Sequence, residues 1–351
     1  MKIDQLESEN DLESNYLLTV GIPVYNGERF IRQTLESLID ALSEITVGKV
    51  EILISDNCST DKTSLIIEDY RNSGKLIISS FRNRQNQGYD KNIDLIVERA
   101  RGKYVWFLGC GEIVKPKALK TILSRLEKDT YNYVLLNFDI FAEDEANQVP
   151  EKVFSPDSDQ KLTSMNEVYG IGSGVAMAVS SNIVLKTAWM KVAECMLSEK
   201  GWCHIERINA ILHANEFPSF FIATPCFTLY RENTGWWTTR QVYMNFVSYC
   251  RLIMKLRTML RDTEYQKIES RIYPFAFANS ILLAKSLGVR FDKSMIKAAA
   301  RDFGNKISFW IVILPLFFIP SKVFSNALFV WTKKRAVFVL AQFRAFKRSF
   351  L

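Results

Sequence analysis

The chain has 351 residues, 48% hydrophobic and 24% charged, enough apolar mass to bury the core of one large domain with a smaller one behind it. Six cysteines without a CxxC pair, and only two histidines (His204 and His213), leave no ligand cluster for zinc. The net charge of +7 is divided unevenly: residues 1–235 hold 25 Lys/Arg against 33 Asp/Glu, and residues 236–351 hold 20 against 5. An acidic first part therefore precedes a basic tail that calls for an anionic partner.

No apolar run comes before Leu17, which predicts no secretory signal, and scattered thiols suit a reducing, cytosolic compartment. Leu17–Ile22 reads as a buried strand ended by Pro23, and Glu28–Leu42 then carries apolar residues at helical spacing. The alternation continues: Val50–Ser55 as strand, Thr60–Tyr70 as helix, Lys75–Ser80 as strand, Asp90–Ala100 as helix and Tyr104–Leu108 as strand. Strands alternating with helices of this length predict an α/β fold built of parallel βαβ units.

Ligands of such sheets bind beyond the carboxyl ends of the strands. The segments there are Pro23–Glu28, Asp56–Asp61, Arg82–Asn92 and Gly109–Glu112, each polar and turn-forming. One such cluster is an ordinary βα loop; four in phase point to a binding edge. No GxGxxG follows the first strand and no GxxxxGK[ST] occurs, which argues against a dinucleotide oxidoreductase and a P-loop NTPase. The absence of a GxSxG elbow disfavours hydrolases of that type.

The run TVGIPVYNGERFIRQTLESL, then VEILISDNCSTDKT, then NQGYDKNIDLIVERARGKYVWFLG resembles the inverting family 2 glycosyltransferases of GT-A fold, over residues 17–230. The later SSNIVLKTAW and GWCHIERINAIL segments look most like bacterial O-antigen enzymes of the abequosyltransferase type. The resemblance implies a Rossmann-like, mostly parallel sheet flanked by helices over residues 1–235, and a nucleotide-sugar donor. Pro23 and Tyr25 would line the nucleobase pocket. Asp56, with Asn57 beside it, would accept a hydrogen bond from base or ribose, since a carboxylate without a paired cation suits a neutral donor. Lys91 would reach the diphosphate. The family's DxD metal motif is replaced by Gly109-Cys110-Gly111, so only Glu112 is left to hold a Mg²⁺ or Mn²⁺. Metal held by a shifted loop, a leaving group neutralised by Lys91 or Lys115, and loss of catalysis all stay open. For the base that takes the acceptor proton, the implied segment offers Glu206, with His204 second.

Residues 236–351 form the second part. Ile307–Ile319 is nearly all apolar but shorter than the roughly 20 residues a membrane span needs. Apolar residues then continue at helical spacing beside Lys333, Lys334 and Arg335 up to Phe343. This predicts an interfacial amphipathic element on an anionic membrane surface, with a packed helical subdomain as the alternative. Aromatic residues set within aliphatic runs disfavour nucleic acid. Taken with these features, the resemblance implies a chain at the cytoplasmic face of a bacterial inner membrane, extending a lipid-linked saccharide.

Overall fold

The computed structural model describes residues 16–141, 151–172, 178–193, 199, 201–214, 216–230, 240–273, 277–278, 281–282, 285 and 291–319. The first half alternates as the sequence predicts: β1 (Leu18–Val24), α1 (Ile31–Leu42), β2 (Val50–Asp56), α2 (Thr63–Ser73), β3 (Ile78–Arg82), α3 (Tyr89–Arg99) and β4 (Tyr104–Phe107). There follow β5 (Ile113–Val114), α4 (Ala118–Leu126), β6 (Tyr133–Leu136), β7 (Asp139–Phe141), β8 (Glu151–Lys152), β9 (Gln160–Leu162) and α5 (Met165–Gly172). Next come β10 (Asn182–Leu185), α6 (Lys186–Val192), α7 (Cys203–Ala214), β11 (Ser219–Ile222) and β12 (Phe227–Tyr230). The described residues continue with α8 (Arg240–Lys255), α9 (Asp262–Ile272), α10 (Lys293–Phe303) and a helical segment, residues 307–318.

Eight strands form the central sheet in the order β3-β2-β1-β4-β10-β6-β11-β9. β1 to β4 pair in parallel, β6 pairs in parallel with β11, and β10 and β9 run antiparallel to their neighbours. A smaller sheet, β5-β12-β7-β8, stands beside it. The order reverses between β1 and β4, placing a topological switch point at the carboxyl ends of those strands.

The central strands are buried on both faces, as parallel strands covered by helices must be. α1 presents Ile31, Leu35 and Leu38 to the sheet, and α3 presents Ile93, Ile96 and Val97, both at helical spacing. Gly21 lets α3 approach β1, since a Cβ there would lie 2.3 Å from Ile96 Cγ2.

The ARG segment before β4 is structural. Arg101 donates from its Nε (2.7 Å) and backbone N–H (2.8 Å) to the buried carboxylate of Glu51, which also accepts from Thr19 Oγ1 at 2.6 Å. A Cβ on Gly102 would sit 2.5 Å from Thr19 N, where backbone cannot yield. Gly102→Ala is therefore expected to cost about 1–3 kcal/mol. A urea midpoint equal to that of the wild type would contradict this packing.

The helices after residue 235 do not stand apart as one unit. Tyr249, Leu252, Ile253 and Leu256 of the α8 region, with Tyr265 and Ile268 of α9, belong to the large core. A second core gathers Tyr273, Phe277, Ile281, Met295, Ala299, Phe303, Phe309, Ile313 and Phe317. Ile307–Ile319 is thus in part a packed element, and no helix among the described residues is long and apolar enough to cross a membrane. The basic residues from Lys322 onward lie outside the described residues.

Candidate functional site

At the carboxyl ends of β1 and β2 two loops are joined by reciprocal hydrogen bonds. Asn26 accepts at Oδ1 from Thr60 N (2.8 Å) and donates its own N–H to Ser59 Oγ (2.9 Å). Gly27 N–H donates to Thr63 Oγ1 at 2.8 Å and Glu28 N–H to Asp61 Oδ2 at 3.0 Å, while Glu28 Oε2 accepts from Lys62 N at 2.9 Å. Asn26 and Cys58 sit at φ +51° and +66°, a left-handed conformation costly for residues other than glycine. Such strain persists where the surroundings hold it, commonly at binding sites. α1 and α2 begin three residues later than their periodicity predicts, after the residues that bond the two loops together.

Asp56 ends β2 and is buried. Its Oδ1 accepts from Ser59 N (2.8 Å) and its Oδ2 from Ser64 Oγ (2.5 Å). The expectation of a carboxylate without a cation is corrected: Arg82 Nε lies 3.8 Å from Oδ2, and Arg82 also donates to Ser59 O and Ser64 Oγ. Asn57 is buried and organises the third loop. It donates to Asn86 Oδ1 (2.9 Å) and Gly88 O (3.2 Å), and accepts from Asn83 Nδ2 (3.0 Å) and Gln87 N (2.9 Å). Asn83 bridges on to Asn92, which accepts from Ser55 Oγ at 2.6 Å. A satisfied buried amide network of this kind fixes one loop arrangement.

Pro23 is partly exposed, and Tyr25 stands out at 49% exposure, an aromatic face open at the rim of this edge. Lys91, on the first turn of α3, is exposed and pairs with Glu98 at 2.9 Å. Lys115 is engaged on the smaller sheet, 2.8 Å from Asp139.

The loop after β4 is pinned to α1: Gly111 N–H donates to Thr34 Oγ1 (2.9 Å), and Gln33 Nε2 donates to Gly111 O (2.8 Å). Glu112 turns back beneath Gly109, where a Cβ would lie 2.9 Å from its Oε1, and it shares Ser180 with the Gly109 N–H. Its Oε2 is buried without a hydrogen-bond partner among the described residues. Burial pushes this carboxyl from 4.5 up to about 8, against the opposing pull of hydrogen bonds with Ser180 and Gly109. Burial also pushes the Cys110 thiol up to about 12.

To a divalent cation, which takes oxygen ligands, this loop offers one buried carboxyl and a half-buried thiol. Among the described residues no three His, Cys, Asp or Glu side chains gather for one. Gly111, at φ +104°, would also hold a carboxylate residue only with strain. Glu112, expected as the remaining metal ligand, is in this arrangement a lone carboxyl turned inward. The sugar transfer that the resemblance implies is accordingly expected to survive EDTA at least in part; complete loss reversed by Mn²⁺ would overturn that.

The raised carboxyl has a sign to test. Between pH 4.5 and about 8 the folded chain keeps a proton that the unfolded chain releases, so stability falls as pH rises through that window. The loss is on the order of 1.4 kcal/mol per unit of pKa difference. Glu112→Gln should flatten the decline of melting temperature with pH; an unchanged slope would place the titrating group elsewhere.

The head of α7 docks on the head of α3. Asp90 accepts from Gly201 N (2.7 Å) and Cys203 N (3.0 Å), capping α7 from a neighbouring helix. His204 is buried, stacked on Trp202 at 5.8 Å, with Nδ1 3.2 Å from Tyr89 Oη. Glu206, two residues on, lies across the helix from it and faces α8, 3.9 Å from Lys255 Nζ, with its side chain 16% exposed. The two base candidates therefore sit in different surroundings. Arg82, Asp90, Tyr89 and Ser180 carry no local motif that announces them, because their partners lie 18 to 115 residues away along the chain.

Comparison with known proteins accords with this edge. Residues 19–186 match the family model described as Glycosyl transferase family 2. Abequosyltransferase RfbV of Salmonella typhimurium is 24% identical over 249 residues, covering 67% of this chain and 74% of that protein. Poly(ribitol-phosphate) beta-N-acetylglucosaminyltransferase TarS of Staphylococcus aureus is 26% identical over 174 residues, 49% of this chain but only 28% of that protein's length. In fold, the chain is similar to TarS 1–349 solved with UDP-GlcNAc (TM-score 0.55, 15% identity, 92% of this chain and 83% of that one). It is also similar to mannosyltransferase PcManGT from Pyrobaculum calidifontis, solved with GDP-Man and Mn²⁺ (TM-score 0.55, 10% identity, 94% and 87%). The architecture is thus the GT-A α/β fold.

Proposed function

We propose that this chain, which carries a family 2 glycosyltransferase domain over residues 19–186, moves a sugar from a nucleotide-sugar donor to a glycan acceptor in the building of a bacterial surface polysaccharide. The observation that carries the reading is the cross-bonded set of loops at the carboxyl ends of β1 to β4, where a nucleotide binds in sheets of this kind. Tyr25 offers the base a face. Asp56, already held by Ser59 and Ser64, keeps its remaining lone pairs for a ribose hydroxyl or a base N–H.

In the inverting reaction the acceptor hydroxyl oxygen bonds to the anomeric carbon as the bond from that carbon to the diphosphate breaks. Glu206 receives the hydroxyl proton, and its partial exposure leaves it reachable by an acceptor. His204, shielded between Trp202 and Tyr89, positions the head of α7. The nucleoside diphosphate leaves with added negative charge. Lys91 is available to meet it, because its bond to Glu98 is an exposed ion pair worth little and readily exchanged.

The acceptor is read as a lipid-linked saccharide, which brings the chain to the cytoplasmic face of the membrane. A rival reading is favoured by Gly109-Cys110-Gly111 and the inward turn of Glu112: a nucleotide-sugar-binding scaffold without turnover. Thermal shift against a panel of nucleotide sugars, followed by assay of free nucleoside diphosphate, separates the two. The transferase reading requires both stabilisation and release; stabilisation alone supports the scaffold, and neither result leaves the transferase reading standing.

A further inference from the structure

Residues 307–318 form a continuous helical segment whose two sides are both apolar. On one side Phe309, Ile313 and Phe317 are buried in the second core, with Phe317 edge-on to Phe291 at 5.1 Å. Buried Lys285 donates to Phe317 O (3.0 Å) and Ile319 O (2.7 Å), fastening the end of the helix to the body. A π-helical stretch at Phe309–Ile313 precedes Pro315, whose ring opposes regular α-helical bonding to the turn before it. Among the described residues nothing covers the other side. Ile307, Trp310, Ile311 and Phe318 recur at helical spacing and are 77%, 53%, 70% and 68% exposed. A firmly seated helix that holds a contiguous apolar stripe in water marks an interaction surface.

We propose that this stripe is a lipid-contacting face, laid in the plane of an anionic bilayer surface. Twelve residues of helix extend about 18 Å, well short of the roughly 30 Å hydrocarbon core, so the segment lies on the membrane and does not cross it. Charge selects the occupant. After Asp302 the sequence has no acidic residue, while residues 303–351 hold eight Lys and Arg. An anionic headgroup layer complements that charge, whereas a second copy of this chain would bring the same positive charge against it. Trp310 suits the boundary: its indole N–H is satisfied by Gly304 O at 2.7 Å while its ring stays open. The proposal deepens the membrane part of the function given above and rests on that reading for its purpose, though its test needs no turnover.

The test uses the full chain, because cutting after Gly304 would strip Phe309, Ile313 and Phe317 from the second core. Phosphatidylcholine vesicles with about one third phosphatidylglycerol should carry the wild type in flotation, and phosphatidylcholine alone should carry less. Ile307→Ser/Ile311→Ser should lower partitioning by about tenfold or more, since removing two inserted side chains forfeits more than one decade of affinity. Both residues are exposed, so melting temperature should hold. Trp310→Ala should act in the same direction. Asp56→Ala should float normally, which keeps a failure of the donor site separate from a failure of this face. Equal flotation of the double variant and the wild type overturns the proposal. So does a change in sedimentation mass of that variant without a change in vesicle binding, which would make the stripe a contact between copies.

Discussion

Asp56→Ala is expected to weaken nucleotide binding roughly 10- to 100-fold and to bring transfer close to background. A lost hydrogen bond to a charged group costs about 1.5–3 kcal/mol, and each 1.4 kcal/mol is tenfold in affinity. The carboxylate also holds Ser59 N–H and Ser64 Oγ, so part of the effect is loosening of the loop before α2. Ser64→Ala separates the parts: it removes the internal bonds of Ser64 Oγ to Asp56 and Arg82 and leaves the carboxylate in place. That variant should lose no more than a few fold in affinity. Calorimetry with the nucleoside diphosphate measures both, and an Asp56→Ala affinity equal to wild type would remove this residue from the donor site.

Glu206→Gln is expected to lower kcat by about 10²- to 10⁴-fold with donor affinity unchanged, the size of effect seen when a general base is lost. Gln keeps the shape and a hydrogen bond but cannot take the proton. Lys255 Nζ, 3.9 Å away, lies on the α8 side of the same carboxylate. His204→Ala should behave differently, lowering melting temperature because a buried ring stacked on Trp202 is removed. If Glu206→Gln keeps activity within threefold while His204→Ala abolishes it without unfolding, the two roles are exchanged.

The strands and helices up to β4 were legible in the sequence because apolar periodicity and loop chemistry agree there. The IPVYN and SDNCSTD segments do fall at the ends of β1 and β2, where a parallel sheet presents its binding edge. The smaller sheet was not legible. β5 and β8 are two residues long, and β7 pairs with β12 from 86 or more residues away, too short and too distant to leave a periodic trace. The same limit hid the partners of the site residues. Arg82 reads as an ordinary strand-end cation until folding sets it beside Asp56. Glu112 reads as an exposed loop carboxylate, and only the close approach allowed by Gly109 shows it turned inward. Ile307–Ile319 was legible as apolar, yet its division into a packed side and a bare side follows from the second core and not from composition.

The claim that this edge is a donor site for sugar transfer is tested most directly by incubating the full chain, in EDTA and without it, with labelled nucleotide sugars and a lipid-linked acceptor fraction. The account predicts that one donor is consumed, with label passing to the lipid fraction and nucleoside diphosphate released in equal amount. It also predicts that the Asp56→Ala and Glu206→Gln variants do neither at a comparable rate. Binding of a nucleotide sugar with no transfer and no release would contradict it.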